Sequence, residues 1–368
     1  MPTFLTKLIG LLLLVNTCFA QKTAKKNIRQ PFAVLAYYSG NATEIDQYDV
    51  KKLTHIIYSF CHLDGNKLTI GGSEPVIRKL VSLKKEQPTL KILLSLGGWG
   101  GCKTCSDVFA TPKGRAEFAA SVKVWTDKLG TDGIDLDWEY PAIEGPPGHP
   151  YKEADKANFT ELVRALRRAL GKQHEISFAA GGFTKFLEQS VEWKKVMPLV
   201  NRVNIMSYDL INGYSTVTGH HPGLYSTTMQ KESTDNAVRY LDSLGVPLNK
   251  LVIGAAFYAR VFAGADSVDN GLNRPAKFRS FIPYRTFPQT ITSDKGYTFY
   301  WDDIAKAPYA YNATQKLFAT FDDSLSIALK TKYALDKKLN GIMFWELTLD
   351  TPKKGLLDAI DEARKKYY

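Results

Sequence analysis

Asp132-Gly133-Ile134-Asp135-Leu136-Asp137-Trp138-Glu139-Tyr140-Pro141 is the stretch from which the rest of the chain can be read. Apolar residues alternate with carboxylates at a period of two. The run therefore reads as a β-strand with Asp135, Asp137 and Glu139 on one face. Side chains on that face stand roughly 6–7 Å apart along the strand. Three acids so close cannot all ionise cheaply at low dielectric, so a proton is expected among them and at least one carboxyl pKa should rise. A carboxyl of raised pKa at a strand end is what a general acid needs near neutral pH. An acidic surface strand is one competing reading, but such strands seldom alternate carboxylates with Ile, Leu and Trp. A calcium loop is the other; it needs Gly at its sixth position and Glu at its twelfth, and this run has neither.

Outward from this strand the chain repeats a rhythm. Strand-like apolar runs fall at residues 32–38, 55–60, 91–96, 133–139, 175–180, 202–208, 251–257 and 341–345. Helical spacing falls between several of them, at 114–129, 154–170, 233–244, 325–339 and 355–366. Strands rich in Val, Ile, Leu, Phe and Tyr suit a parallel sheet buried on both faces. Eight of them alternating with helices predict an α/β fold, a closed (β/α)8 TIM barrel. The alternative is a doubly wound open sheet, disfavoured because no Gly-rich phosphate loop follows the first strand. The interval between the seventh and eighth strands is far longer than one helix needs, and 261–320 is rich in Phe, Tyr, Pro and Gly. Its aromatic content argues against disorder.

The acidic run resembles the D-x-x-D-x-D-x-E signature of the glycoside hydrolase family 18 chitinases, matched at Asp132, Asp135, Asp137 and Glu139. Further motifs of that family follow in order. Ser95-Leu96-Gly97-Gly98 resembles S-x-G-G, and Met206-Ser207-Tyr208-Asp209 resembles M-x-Y-D. Phe257-Tyr258-Ala259-Arg260 resembles F-Y-G-R with Ala259 where Gly is commoner, and the run from Gly341 to Leu347 resembles the eighth strand ending in Trp345. Tyr300-Trp301-Asp302-Asp303 and the run from Phe318 to Asp323 resemble the small α+β insertion domain of such chitinases. The resemblance implies a barrel over 31–260 and 321–368, with an insertion domain over 261–320 between strand 7 and helix 7.

Glu139 is then implied as the acid that protonates the glycosidic oxygen while the sugar's own 2-acetamido carbonyl attacks the anomeric carbon. Asp137 would orient the acetamide and share a proton with Asp135, Tyr208 would donate to the acetamide oxygen, and Asp209 would hold the same group or the sugar. Trp345 would floor the reacting sugar, with Trp99 at a more distant subsite. Tyr38, Phe60, Tyr140, Met206, Tyr258 and Arg260 are candidates for the walls; Phe60 serves equally well as core. Asp132 is out of phase with the other acids and is expected to support the strand. The implied function is a chitinase acting on chitin and chitooligosaccharides, retaining in stereochemistry. Alternatives are an endo-β-N-acetylglucosaminidase on the same barrel or an inactive chitin-binding lectin, though lectins of this type typically lose the terminal acid.

Residues 1–20, with Lys7, an apolar core at 8–15 and Cys18-Phe19-Ala20, read as a secretory signal cleaved near Ala20. A bacterial lipoprotein anchored through Cys18 is the minor alternative. Residues 21–30 read as a polar leader, and no later run is apolar enough to cross a membrane. The formal net charge is +11, or +10 without Lys7, and the lysines and arginines are scattered with no nucleic-acid motif. A solvated basic surface is the better reading, with no nucleic-acid partner. Chitin is neutral, so the proposed substrate does not explain the charge.

Beyond Cys18 there remain Cys61, Cys102 and Cys105. Cys102-Lys103-Thr104-Cys105 could be a redox site, half a zinc site or a local disulfide, and the disulfide is favoured, with Cys61 a competing partner. His220-His221 reads as a loop feature, and no metal or cofactor is expected. The chain is expected to act as a monomer.

Overall fold

The computed structural model describes residues 32–368. The expected signal, polar leader and Cys18 lie outside them. Eight parallel strands close on themselves: β1 (Ala33–Tyr38), β2 (His55–Asp64), β3 (Lys91–Gly97), β4 (Gly133–Asp137), β5 (Glu175–Gly181), β6 (Arg202–Met206), β7 (Leu251–Ala256) and β8 (Gly341–Trp345). Each pairs with its sequence neighbour, and β8 pairs back to β1 through Ala33 opposite Gly341. The fold is therefore the (β/α)8 barrel.

Side-chain alternation divides the apolar residues into two shells. On β1, Ala33, Leu35 and Tyr37 face the lumen, with Ile57, Leu93, Val252 and Met343. Val34, Ala36 and Tyr38 face outward into the larger layer between strands and helices. The helices start and stop for local reasons. Pro112–Leu129 opens on Thr111, whose side chain accepts from the Gly114 N–H, and ends on Gly130 in the left-handed conformation. Ser324–Asp336 opens on a capping box formed by Asp323 and Ser326. The first crossover, between β1 and β2, contains only two 3-10 turns, Glu44–Gln47 and Val50–Lys52.

β2 runs four residues past the expected end at 60 and forms an antiparallel hairpin with Lys67–Thr69. Between β7 and the helix Ser324–Asp336 lies a five-stranded antiparallel sheet. Its strands, in spatial order, are Lys277–Pro283, Tyr258–Ala263, Leu317–Thr320, Ala307–Asn312 and Thr298–Asp302. Tyr258 to Arg260 thus belong to this sheet. Where it rejoins the barrel, Asp322 accepts from the Ala256 N–H at 3.0 Å and from the buried Lys330 ammonium at 2.6 Å. At the opposite end of the lumen, Glu175 accepts from Arg202 at 2.7 Å and contacts His55 Nε2 at 3.2 Å.

Candidate active site

The site forms where β3, β4, β6, β7 and β8 end. Asp135 and Asp137 project into the lumen, and Glu139 follows one strand repeat further out. Trp138, between them, turns outward against Phe109 and Phe159. The alternation expected from sequence is thus the alternation present. Asp132 sits before the strand at its other end, where it accepts from the Ile92 N–H at 2.8 Å and from Lys91 at 3.3 Å.

The two glycines at the end of β3, Gly97 and Gly98, let chain segments meet. A Cβ on Gly97 would lie 2.1 Å from the Asp137 carbonyl oxygen, and one on Gly98 would lie 2.3 Å from the Phe60 ring. Both glycines have positive φ, and Gly98 donates its N–H to the Asp137 carbonyl at 2.9 Å. This loop also carries the Cys102–Cys105 disulfide, while Cys61 is free and buried.

The environment of the acids changes with depth. Asp135, fully buried, accepts from Tyr37 (3.1 Å), Ser95 (2.9 Å), Ser177 (2.6 Å) and Asn204 (3.1 Å). Burial raises its pKa and these donors pull it back. Asp137 has a buried Oδ1 without a hydrogen-bond partner. Burial, then repulsion from Glu139 and Asp135, lifts its pKa well above the carboxylate range. Burial pushes Glu139 up to about 7, with the Tyr140 hydroxyl lowering it and the Asp209 charge raising it.

Asp209 differs. Burial opposes its ionisation, but the guanidinium of Arg260, bound to both its oxygens, outweighs burial and holds the carboxyl well below its usual range. Tyr208 is buried with its hydroxyl 3.8 Å from Met343 Sδ, and its ring meets Tyr258 edge-on at 6.3 Å. Met206 is partly buried against the same lumen cluster. Trp345, partly exposed, stacks on Phe60 at 5.4 Å with planes 15° apart and lies 5.8 Å from Tyr37. Trp99, 52% exposed, stands at the rim, 6.3 Å from Tyr140 and 6.2 Å from Tyr214. Three peptide bonds around the site are cis: Ser59–Phe60 within β2, Glu139–Tyr140 after β4 and Trp345–Glu346 at the end of β8.

Tyr38 does not join the site. Its ring lies in the outer shell and its hydroxyl donates to the Asn41 carbonyl, so a role on the substrate wall is corrected. Tyr37 occupies the lumen instead. The expectation erred because both faces of β1 are buried, which removes the polar alternation that would fix the phase. Arg260 is engaged by Asp209, and Tyr258 is buried beneath Phe281 at 4.6 Å.

Sequence reasoning also missed Ser177 and Asn204, which serve Asp135; Tyr214 at the rim; and His221 behind Asp209. A polar residue inside an apolar strand run, as Asn204 is in β6, was the available signal. Among the described residues, no group of His, Cys, Asp and Glu could hold a metal ion. No helix among them is long and apolar enough to cross a membrane.

The sequence is similar to chitinase A1 of Niallia circulans, 34% identical over 302 residues, 75% of this chain and 43% of that protein. It thus spans less than half the length of that relative. Chitotriosidase-1 of Mus musculus is 32% identical over 328 residues, 82% of this chain and 68% of that protein. A solved structure of a glycoside hydrolase family 18 N-acetylglucosaminidase from Paenibacillus barengoltzii superimposes with a TM-score of 0.84 at 33% identity, covering 90% of this chain and 99% of that one. The model of "Glycosyl hydrolases family 18" matches residues 33–350, which takes in all eight strands and the whole acid row, so the chain belongs to family 18 of the glycosyl hydrolases.

Proposed function

We propose that the protein is an exported chitinase that hydrolyses β-1,4 linkages between N-acetylglucosamine units with retention of configuration. The observation that carries this is the row of Asp135, Asp137 and Glu139, graded from fully donor-satisfied at depth to a carboxyl of pKa about 7 at the mouth.

A substrate sugar would lie on Trp345, its apolar ring face against the indole. Protonated Glu139 gives its proton to the glycosidic oxygen as the C1–O bond breaks and the leaving sugar departs as an alcohol. The acetamido carbonyl oxygen closes on C1, giving an oxazolinium ion. Asp137 accepts the acetamide N–H and stabilises the positive ring, and Tyr208 donates to the acetamide oxygen. Water then attacks C1 and loses a proton to the Glu139 carboxylate, the C1–acetamide oxygen bond opens, and the starting protonation state returns. Trp99 and Tyr214 would flank sugars beyond the cleaved bond. Export is supported by the pattern of residues 1–20 and is tested by N-terminal sequencing of the mature protein.

The deciding experiment replaces the substrate 2-acetamido group by hydroxyl. Cleavage should disappear, and cleavage at the ordinary rate refutes substrate assistance. An exo-acting N-acetylglucosaminidase is the second reading, favoured by the likeness to the Paenibacillus barengoltzii enzyme. A product time course on chitooligosaccharides of defined length separates them: monosaccharide alone from the start supports the exo reading, and early disaccharide or longer products support the chitinase.

A further inference from the structure

The pair His220-His221 is buried at the junction of three functional segments. His221 is fully buried and uses all its polar groups. Its Nδ1 lies 3.3 Å from the Asp209 N–H, and its Nε2 lies 3.3 Å from the Tyr258 carbonyl oxygen. A backbone N–H can only donate and a carbonyl can only accept, so these two partners fit a neutral ring with its proton on Nε2, while Nδ1 also lies 3.5 Å from the Asp209 carboxylate. The backbone of His221 is held as firmly: its N–H donates to Thr320 Oγ1 at 3.0 Å, and its carbonyl accepts from the Leu210 N–H at 3.1 Å.

One residue therefore ties the two backbone amides that follow Tyr208 to two strands of the antiparallel sheet, at Tyr258 and at Thr320. Its neighbour extends the attachment, with His220 Nε2 3.0 Å from Asp302 Oδ2 on a further strand. Asp209 needs such support. Its φ is +55°, in the left-handed region that is uncommon for residues other than glycine, though aspartate enters it more readily than most. Its carboxylate must also meet Arg260, which is carried by the sheet and not by the barrel.

We propose that His221 is a positioning residue that sets the aim of Asp209 by pinning the Asp209–Leu210 backbone to the sheet that carries Arg260. It touches no substrate itself; it acts through Asp209, and this role rests on the chitinase reading given above. In this design the antiparallel sheet does more than wall the groove. Its docking on the barrel mouth determines the geometry of the acetamide-binding group, and His221 is the joint.

The test compares His221→Leu, which fills the volume without polar contacts, with His221→Gln, which restores one acceptor and one donor. On a chitooligosaccharide of defined length, His221→Leu should lower kcat/KM about tenfold, and His221→Gln should recover to within about threefold of the parent. In an Asp209→Ala background, His221→Leu should cost less than about twofold more, because the residue through which it acts is gone. A crystal structure of His221→Leu should show Asp209 out of the left-handed region or parted from Arg260. The proposal is overturned if that structure keeps Asp209 at positive φ and paired with Arg260, or if His221→Leu is as costly without Asp209 as with it. A Glu139→Gln control separates the two levels: full turnover by that variant refutes the chitinase reading, whereas the crystallographic comparison judges His221 whatever the activity.

Discussion

Replacing Glu139 by Gln should make the folded protein more stable above neutral pH while removing its activity. The carboxyl is raised from 4.5 to about 7, chiefly by burial. The folded protein therefore binds a proton there that the unfolded chain has already released, over the window from about pH 4.5 to about pH 7. Stability contributed by this group is present in full below that window and is lost as pH rises through it. At about 1.4 kcal/mol for each tenfold change in proton affinity, ionised Glu139 costs the fold about 3 kcal/mol at pH 8. Gln keeps the shape and carries no charge, so it removes the cost, and relief of Asp137 from a neighbouring anion adds in the same direction. Urea unfolding of both proteins at about pH 4.5 and pH 8 measures this directly. The advantage of Glu139→Gln should be small at the lower pH and about 3 kcal/mol at the higher. An advantage independent of pH, or a disadvantage at pH 8, refutes the claim that an ionised Glu139 is strained in its site.

The same pKa sets the basic limb of activity. Because Glu139 must carry the proton it donates, kcat/KM should fall about tenfold for each pH unit above about 7, and a flat profile to pH 9 would remove Glu139 as the acid. Gly98→Ala puts a methyl 2.3 Å from the Phe60 ring and should cost at least about 1–3 kcal/mol while disturbing the Phe60–Trp345 stack. Raised KM with altered tryptophan fluorescence is the expected signature. Lys330→Met strands the fully buried Asp322 without its cation and should cost about 3–5 kcal/mol in denaturant unfolding. A loss below about 1 kcal/mol would mean that Asp322 is satisfied by Ser326 and Ala256 alone.

The acid row was legible from sequence because its strand breaks the rule of its neighbours. Most barrel strands here are apolar on both faces, which reveals their existence and conceals their phase; hence Tyr38 was named in place of Tyr37. β4 alternates carboxylate with apolar side chain, so phase, lumen face and chemistry are all written in the period. Glycines 97 and 98 were legible as part of a motif, though what they approach, the Asp137 carbonyl and the Phe60 ring, is a tertiary fact. His221 and Tyr214 were not legible at all. They lie on one long loop whose contacts reach Asp209, Tyr258 and Trp99 from other strand ends, and no local pattern encodes such a meeting.

What makes three acids tolerable in one lumen is the unequal supply of donors along it. Asp135 receives three hydroxyl donors, from Tyr37, Ser95 and Ser177, and one amide donor, from Asn204, filling both its oxygens. That arrangement suits an anion, because a carboxylate accepts at every lone pair it offers. Asp137, one repeat outward, has a buried oxygen with no donor, an arrangement that suits a neutral acid. Asp209 stays ionised, paired with Arg260, and its charge still raises Glu139.

 Of the four donors to Asp135, those on Tyr37 and Ser95 share one oxygen and those on Ser177 and Asn204 share the other, so neither oxygen is left to carry a proton comfortably. A proton entering the row is therefore driven outward, to Asp137 and Glu139, where burial, and for Asp137 repulsion from Glu139 as well, keeps at least one of them protonated near neutral pH. Substituting Asn204 by Leu tests this ordering: with one donor to Asp135 lost, the proton should be drawn deeper, Asp137 should stand more often as the anion beside Glu139, and the basic limb of kcat/KM should move to higher pH. A limb that stays in place would show that the donors around Asp135 do not govern where the proton resides.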